Sequence, residues 1–396
     1  MSLAIFFGTP AWGHTNPTLP LVAELVRQGE QVLYYSTEEF QPAIEQTGAT
    51  FRSYRDAFPF NYTQLNENDF VIIRLFIQAS ESILDRFLGE IESVHPDYIL
   101  YDSMAGWGHY FAELLHVPAI CSMVMFGITP QLAYSIPSLV LKAFLSYAEI
   151  MRINQVGHRI SQKYSVKQLD YMGYLSNTAQ LNIVYTSRFF QPYVDSFDET
   201  YRFVGPLLGE RSSKPDFPFE LLSDPAPIYI SLGTIFNQQN DFYRLCFQAF
   251  ASSKHQVILS VGPNTAIEQL GTVPHNFIVR HFVPQLDVLQ HASLFITHGG
   301  MNSVSEALYY GVPLLVIPHA TDQHYVAKRV VQLGAGLQLK RNRVTASLLK
   351  HMASTLLGNP HFAQACQTIE ASFRQAGGYM RAADEIQTFK EQYVPV

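Results

Sequence analysis

Three stretches of this chain hold residue types that could do chemistry. The first is Gly8-Thr-Pro-Ala-Trp-Gly-His14-Thr-Asn-Pro17, where an imidazole stands in a loop after the apolar run Leu3 to Gly8. A neutral histidine takes up a proton near pH 7, so His14 is a candidate general base. The second is Tyr98-Ile-Leu-Tyr-Asp102, an apolar strand ending in a carboxylate. A carboxylate at a strand's carboxyl end can accept the imidazole's other N–H and stabilise the imidazolium, as the third group of hydrolase triads does. The third runs from Leu294-Phe-Ile-Thr297 into His298-Gly-Gly-Met-Asn302-Ser303-Val-Ser-Glu306. Gly299 and Gly300 let the backbone turn tightly and approach a ligand. Asn302 and Ser303 are N-cap types, and Ser303 with Glu306 fits a capping box. A helix start of this kind offers N–H groups and a positive dipole end, which suits a phosphate. Each stretch also has a plainer reading: a loop histidine, an aspartate capping a turn, and ordinary turn and cap residues.

The elements that must hold these residues follow from periodicity. Leu3 to Gly8, Gln31 to Ser36, Thr50 to Tyr54, Tyr98 to Asp102, Val117 to Ser122 and Leu181 to Thr186 read as short buried strands. Helical patterns lie between them: Asn16 to Gln28, with Pro17 near its first turn where a missing N–H costs nothing, Ile72 to Ser93, and Gly106 to His116. Strand–helix–strand alternation at crossover spacing implies a parallel sheet covered on both faces. Gly205 to Pro227 breaks the pattern with five prolines, at 206, 215, 218, 225 and 227, and reads as a linker. The alternation then restarts. Strands are expected at Ile228 to Leu232, Gln256 to Val261, Phe277 to Arg280, Leu294 to Thr297, Leu314 to Ile317 and Gly336 to Leu339. Helices are expected at Asp241 to Ser253, Pro284 to Gln290, Ser303 to Tyr310 and Gln323 to Leu333, and a last one at Met380 to Tyr393. The fold class is α/β, with two Rossmann-like parallel-sheet domains.

Composition removes several function classes. A chain of 396 residues, 47% hydrophobic and 15% charged, suits two globular domains and not disorder. The net charge of −7, without a basic run, argues against a nucleic-acid partner. Cys121, Cys246 and Cys366 are odd in number and widely spaced, which fits neither a disulfide framework nor a zinc site and points to a reducing, cytoplasmic setting. No basic flank precedes Met1 to Phe7, so no secretory signal is read. The longest apolar stretch, Tyr134 to Ile153, carries Pro137, Lys142, Glu149 and Arg152, and reads as a core or pocket helix, not a membrane span.

The ordered set Phe282, Pro284-Gln285, His298-Gly-Gly, Asn302-Ser303, Glu306 and Asp322-Gln323 resembles the donor-binding signature of the UDP-dependent glycosyltransferases. These are GT-B enzymes that glycosylate small lipophilic molecules, and the chain is most similar to their bacterial macrolide and flavonoid branch. The resemblance covers the whole chain, since Gly13-His14 and Asp102 match in the amino-terminal half. The plant signature opens with Trp where this chain has Phe282, which keeps an aromatic face.

The resemblance implies two domains, 1–205 for the acceptor and 228–379 for the UDP-sugar, joined by a linker at 206–227, with a ligand cleft between them and a helix at 380–396 packing back on the first. It implies an inverting transfer in which His14 deprotonates an acceptor hydroxyl and Asp102 holds His14. His298, Gly300, Asn302 and Ser303 would bind the diphosphate, with weaker support for Ser231, Gly233 and Thr234. Phe282 would stack on uracil, while the Val283 backbone and Gln285 meet the base or ribose. Glu306 would accept the ribose hydroxyls, with the capping-box role as its equal rival. Asp322 and Gln323 would hold the sugar, and Gln at the last place goes with glucose. A UDP-sugar co-substrate is expected, and neither a cofactor nor an obligatory metal. The acceptor is a small lipophilic molecule bearing a hydroxyl, such as a flavonoid, another phenolic or a macrolide. Phe58, Phe60, Phe70, Phe76, Met123, Met125, Phe126, Tyr134, Phe144 and Tyr147 supply apolar surface for it or for the core. The rivals are a cell-wall or lipid-linked glycosyltransferase, a UDP-sugar isomerase, and a non-catalytic nucleotide-sugar-binding protein.

Overall fold

The computed structural model describes residues 2–58, 69–209, 216–233 and 238–394. It divides into two compact units, Met1–Ser212 with Gln375–Val396, and Ser213–Arg374. In the first the chain runs β1 (Leu3–Phe7), α1 (Trp12–Arg27), β2 (Gln31–Ser36), α2 (Gln41–Glu45), β3 (Thr50–Ser53), α3 (Asp69–Val94), β4 (Tyr98–Asp102), α4 (Gly106–Leu115) and β5 (Ala119–Met123). It continues through α5 (Pro130–Ala133), α6 (Pro137–Leu145), α7 (Tyr147–Tyr164), α8 (Tyr171–Ser176), β6 (Leu181–Val184) and β7 (Tyr201–Phe203). In the second it runs β8 (Ile228–Ser231), α9 (Asn240–Phe250), β9 (Val257–Ser260), β10 (Phe277–Arg280), α10 (Gln285–His291), β11 (Leu294–Thr297) and α11 (Met301–Tyr309). Then follow β12 (Leu314–Val316), α12 (Thr321–Gln332), β13 (Gly336–Gln338), α13 (Ala346–Gly358) and α14 (Pro360–Ala376), and α15 (Gly378–Tyr393) closes the chain.

Among the described residues the first unit holds a seven-stranded sheet, β3-β2-β1-β4-β5-β6-β7, and the second a six-stranded one, β10-β9-β8-β11-β12-β13. Every pairing is parallel. Strands covered on both faces must be apolar on both, and β1 shows it. Ile5 and Phe7 enter one cluster with α3 and α4, while Ala4 and Phe6 enter another with α1. That second cluster also holds Ala382, Ala383, Ile386 and Phe389 of α15, so the carboxyl-terminal helix is part of the first unit's core. Two buried carboxylates fasten it there: Glu385 of α15 pairs with Arg202 at 2.8 Å, and Glu30 meets Lys390 of α15.

In each sheet the chain starts centrally, builds outward one way, then returns to build the other way. The reversal lies between β1 and β4 in the first unit, and between β8 and β11 in the second. Loops diverge beyond the carboxyl ends of the strands at such a reversal, leaving a crevice where ligands bind in open α/β sheets.

Several expectations need correction. α1 begins at Trp12, not Asn16, because the Ala11 carbonyl already accepts the N–H groups of His14 (2.9 Å) and Thr15 (2.7 Å). Pro17 and Pro20 therefore lie inside the helix, at the cost of the bonds they would have given Gly13 and Asn16. The stretch Tyr134 to Ile153 is not one core helix. Pro137 starts α6, a break at Ser146 precedes α7, and Tyr134, Leu141, Phe144, Leu145 and Tyr147 are exposed. Phe58, Phe70, Phe76, Met123 and Phe126 are buried, whereas Phe60 lies outside the described residues. The edge strand β7 and the helices α13 and α14 were not anticipated. Among the described residues no helix is long and apolar enough to cross a membrane. All three cysteines are buried free thiols.

Candidate active site

The residues singled out in the first unit come together at the β1–β4 reversal. Strand pairing sets Phe7 opposite Tyr101, so Gly8 and Asp102 emerge side by side. His14 lies in the first turn of α1, not in a loop before it, and its Nδ1 is 2.8 Å from Asp102 Oδ2. The carboxylate is 1% exposed and the imidazole 17%, so the ring reaches solvent while its partner does not. Asp102 Oδ1 accepts two further hydrogen bonds, from the Thr9 hydroxyl (2.8 Å) and the Met104 N–H (2.8 Å). A polar group at this depth needs such hydrogen bonds to offset the water it has lost. Sequence reading missed Thr9 because no spacing rule links a residue after β1 with the end of β4. Only the sheet order does.

The second unit gathers its candidates in the same way at the β8–β11 reversal. Ser231 pairs with Thr297, which brings Ser231–Gly233 beside His298–Gly300. Gly233 and Gly300 flank the His298 ring. A methyl group on Gly233 would lie 2.5 Å from Cε1, and one on Gly300 2.5 Å from Nε2. The Gly233 N–H is 3.3 Å from Ser231 Oγ. Thr234 lies outside the described residues. α11 starts at Met301 with Gly300 as N-cap, so Asn302 and Ser303 are its second and third residues and the expected capping box does not form. Glu306 is buried and accepts from Gln285 Nε2 at 2.6 Å instead, with Ser303 Oγ 3.4 Å from the same nitrogen. Tyr229 in β8, which the sequence did not single out, donates to Gln285 Oε1 at 2.9 Å and so sets which way the amide faces. Val283 is buried and Phe282 is 51% exposed. Gln323 is the third residue of α12 and its side-chain oxygen accepts the N–H groups of His319 (2.8 Å) and Ala320 (3.0 Å). Asp322 precedes it in the same helical turn.

Enclosure by protein pushes the His298 pKa down to about 3, and His319 adds to the shift. Burial pushes His319 down to about 4, helped by the charges of Arg341 and His324. Both rings are therefore neutral at pH 7. In the unfolded chain they protonate near 6.5, so between that pH and about 4 the unfolded state binds more protons and stability falls as pH falls. The expected result is a urea midpoint that drops from pH 7 to pH 4.5, with a smaller drop in His298→Asn. An equal drop in the variant removes His298 from the cause. Among the described residues no group of three or more His, Cys, Asp or Glu side chains is placed to hold a metal ion.

Comparison with known proteins shows the family. Residues 244–375 match the family described as Erythromycin biosynthesis protein CIII-like, C-terminal domain. The chain is 35% identical to the uncharacterized UDP-glucosyltransferase YojK of Bacillus subtilis, over 98% of this chain and 97% of that one. It is 37% identical to the NDP-glycosyltransferase YjiC of Bacillus licheniformis, over 97% and 96%. Among solved structures it is similar to the calicheamicin glycosyltransferase CalG4, with a TM-score of 0.85 and 27% identity over 100% of both chains. The chain belongs to the UDP-dependent glycosyltransferases of the GT-B fold, in the group that includes the macrolide glycosyltransferases, and is an enzyme of glycosyl transfer.

Proposed function

We propose that the enzyme transfers a hexose, glucose first, from a UDP-sugar to a hydroxyl of a small lipophilic acceptor, with inversion at the anomeric carbon. The observation that carries the chemistry is the 2.8 Å contact between His14 Nδ1 and the buried Asp102 carboxylate. With Nδ1–H donated to Asp102, Nε2 is the nitrogen that takes the acceptor proton, and the carboxylate stabilises the imidazolium that results. The hydroxyl oxygen then bonds to the anomeric carbon as its bond to the UDP oxygen breaks.

The donor's uracil stacks on Phe282, whose half-exposed ring is available to it, and meets the Val283 backbone and Gln285. Glu306, already oriented by Gln285, accepts the ribose hydroxyls. The leaving diphosphate gathers N–H groups from Gly300 and the first turn of α11, the Asn302 and Ser303 side chains, the neutral His298, and the Ser231-Gly233-Thr234 loop. Asp322 and the NH2 of Gln323 hold the sugar hydroxyls, since the Gln323 oxygen is already engaged by backbone.

Hydrogen-bond donors and a helix dipole can stabilise the diphosphate without a cation, so turnover should be independent of metal. The expected result is transfer in excess EDTA within about twofold of the untreated rate, as for any charge stabilised by preorganised dipoles. A loss restored by Mg2+ overturns that part. The function itself is tested by mixing the enzyme with UDP-glucose and a panel of phenolic and macrolide acceptors. A mass gain of one hexose with release of UDP is expected, and release of UDP without a glycosylated product overturns the acceptor class.

A further inference from the structure

We propose that Thr9 is a positioning residue for the transfer, setting the plane of the Asp102 carboxylate and through it the direction of the base. The proposal rests on the reading of His14 and Asp102 as base and partner. Thr9 is 1% exposed, and its hydroxyl donates to Asp102 Oδ1 at 2.8 Å while the Met104 N–H donates to the same oxygen at 2.8 Å. The two donors reach Oδ1 from different strand ends, Thr9 after β1 and Met104 after β4. With Oδ1 held from two directions, the carboxyl group has no freedom to swing, and Oδ2 is left facing His14 Nδ1.

Both donors are themselves held. The Thr9 carbonyl accepts the Ala11 N–H at 2.8 Å, and Gly8 gives its N–H to Tyr35 O at 3.0 Å. Gly8 O accepts the Tyr54 hydroxyl at 2.9 Å, which in turn accepts Trp107 Nε1 at 3.0 Å. On the other side Ser103 N–H bonds Ser122 O at 2.9 Å, Asn177 Nδ2 donates to Ser103 O at 2.7 Å, and the Tyr174 hydroxyl donates to Met104 O. The hydroxyl of Thr9 is thus a rigid donor aimed at a buried carboxylate. A hydrogen bond to a charged group in such surroundings contributes more than a neutral one.

Thr9→Val keeps the shape and removes the donor. Assayed with UDP-glucose and kaempferol, it should lower kcat roughly tenfold to a hundredfold, the range for one hydrogen bond to a buried charge, with both KM values within about twofold. Thr9→Ser should recover most of the loss. In an Asp102→Ala background the Val substitution should change residual single-turnover rates by less than about twofold, because its target is gone. Should Thr9→Val fail to fold, Thr9→Ala supplies the same comparison. Wild-type kcat in Thr9→Val, a loss confined to KM, no recovery with Ser, or an undiminished loss in the Asp102→Ala background each overturns the proposal. Full turnover in both His14→Ala and Asp102→Ala removes the base assignment and the proposal together. Full turnover in Thr9→Val while those two variants are dead removes the proposal alone.

Discussion

Replacing His14 by Ala should lower kcat by about a thousandfold, the middle of the range for a lost general base, while UDP binds as before. The two halves of that expectation come from the fold. His14 belongs to the first unit, where it touches Asp102, and every candidate contact to the nucleotide belongs to the second. Removing the imidazole leaves the acceptor hydroxyl to attack as a neutral alcohol, a weaker nucleophile that must shed its proton to water. Asp102→Asn should follow with a loss of about a hundredfold or more, since the imidazolium loses its counter-charge. Titration calorimetry with UDP and initial rates with UDP-glucose read the two quantities separately. Full turnover in His14→Ala removes the base assignment, and a parallel loss of UDP affinity moves His14 to the donor side.

Gly300→Ala should lower donor affinity more than tenfold and leave stability nearly unchanged. Gly300 has φ −59°, a conformation open to any residue, so the backbone does not require glycine there. Space does. The added methyl would lie 2.5 Å from His298 Nε2, so the far end of that ring must give way. The ring of His298, one of the proposed donors to the diphosphate, is then pushed out of place while the backbone keeps its course. An oxyanion-type site that loses even one aligned donor loses about 10² or more in rate. Gly299→Ala makes the contrast. Gly299 has φ +90°, and its Cβ would lie 2.6 Å from Val316 Cγ1, so this change should lower the thermal midpoint as well as binding. Unchanged UDP affinity in Gly300→Ala would mean that the diphosphate sits elsewhere.

How far the sequence reached depended on the range of the interaction. Strands such as Leu294-Phe-Ile-Thr297 are apolar on both faces over four residues, and that pattern survives without context. The run from Thr297 to Glu306 was legible as a strand, a turn and a helix because its signals are local, from β11 into α11. Helix starts were not, because Ser303 and Pro17 each have a good local reason to begin a helix and the backbone begins it earlier. Glu306 had two readings of equal weight until Gln285, twenty-one positions upstream, took its carboxylate. Thr9 and Tyr229 stayed invisible because their partners, Asp102 and Gln285, are reached only through the order of strands in a sheet. The exposed face of α6 was misread because apolar composition says nothing about whether a neighbour exists to cover it.

The placing of α15 has a consequence for how the polypeptide matures. The sheet face formed by Ala4, Phe6, Tyr98 and Leu100 shares its cluster with Ala382, Ala383, Ile386 and Phe389. During synthesis those early strands emerge well before this share of their cover, which follows the whole second sheet in the chain. The unit encoded in the middle of the chain has all its own strands before then. The earlier unit is thus completed after the later one, and a nascent chain stalled before residue 382 holds a greasy surface that a chaperone would recognise.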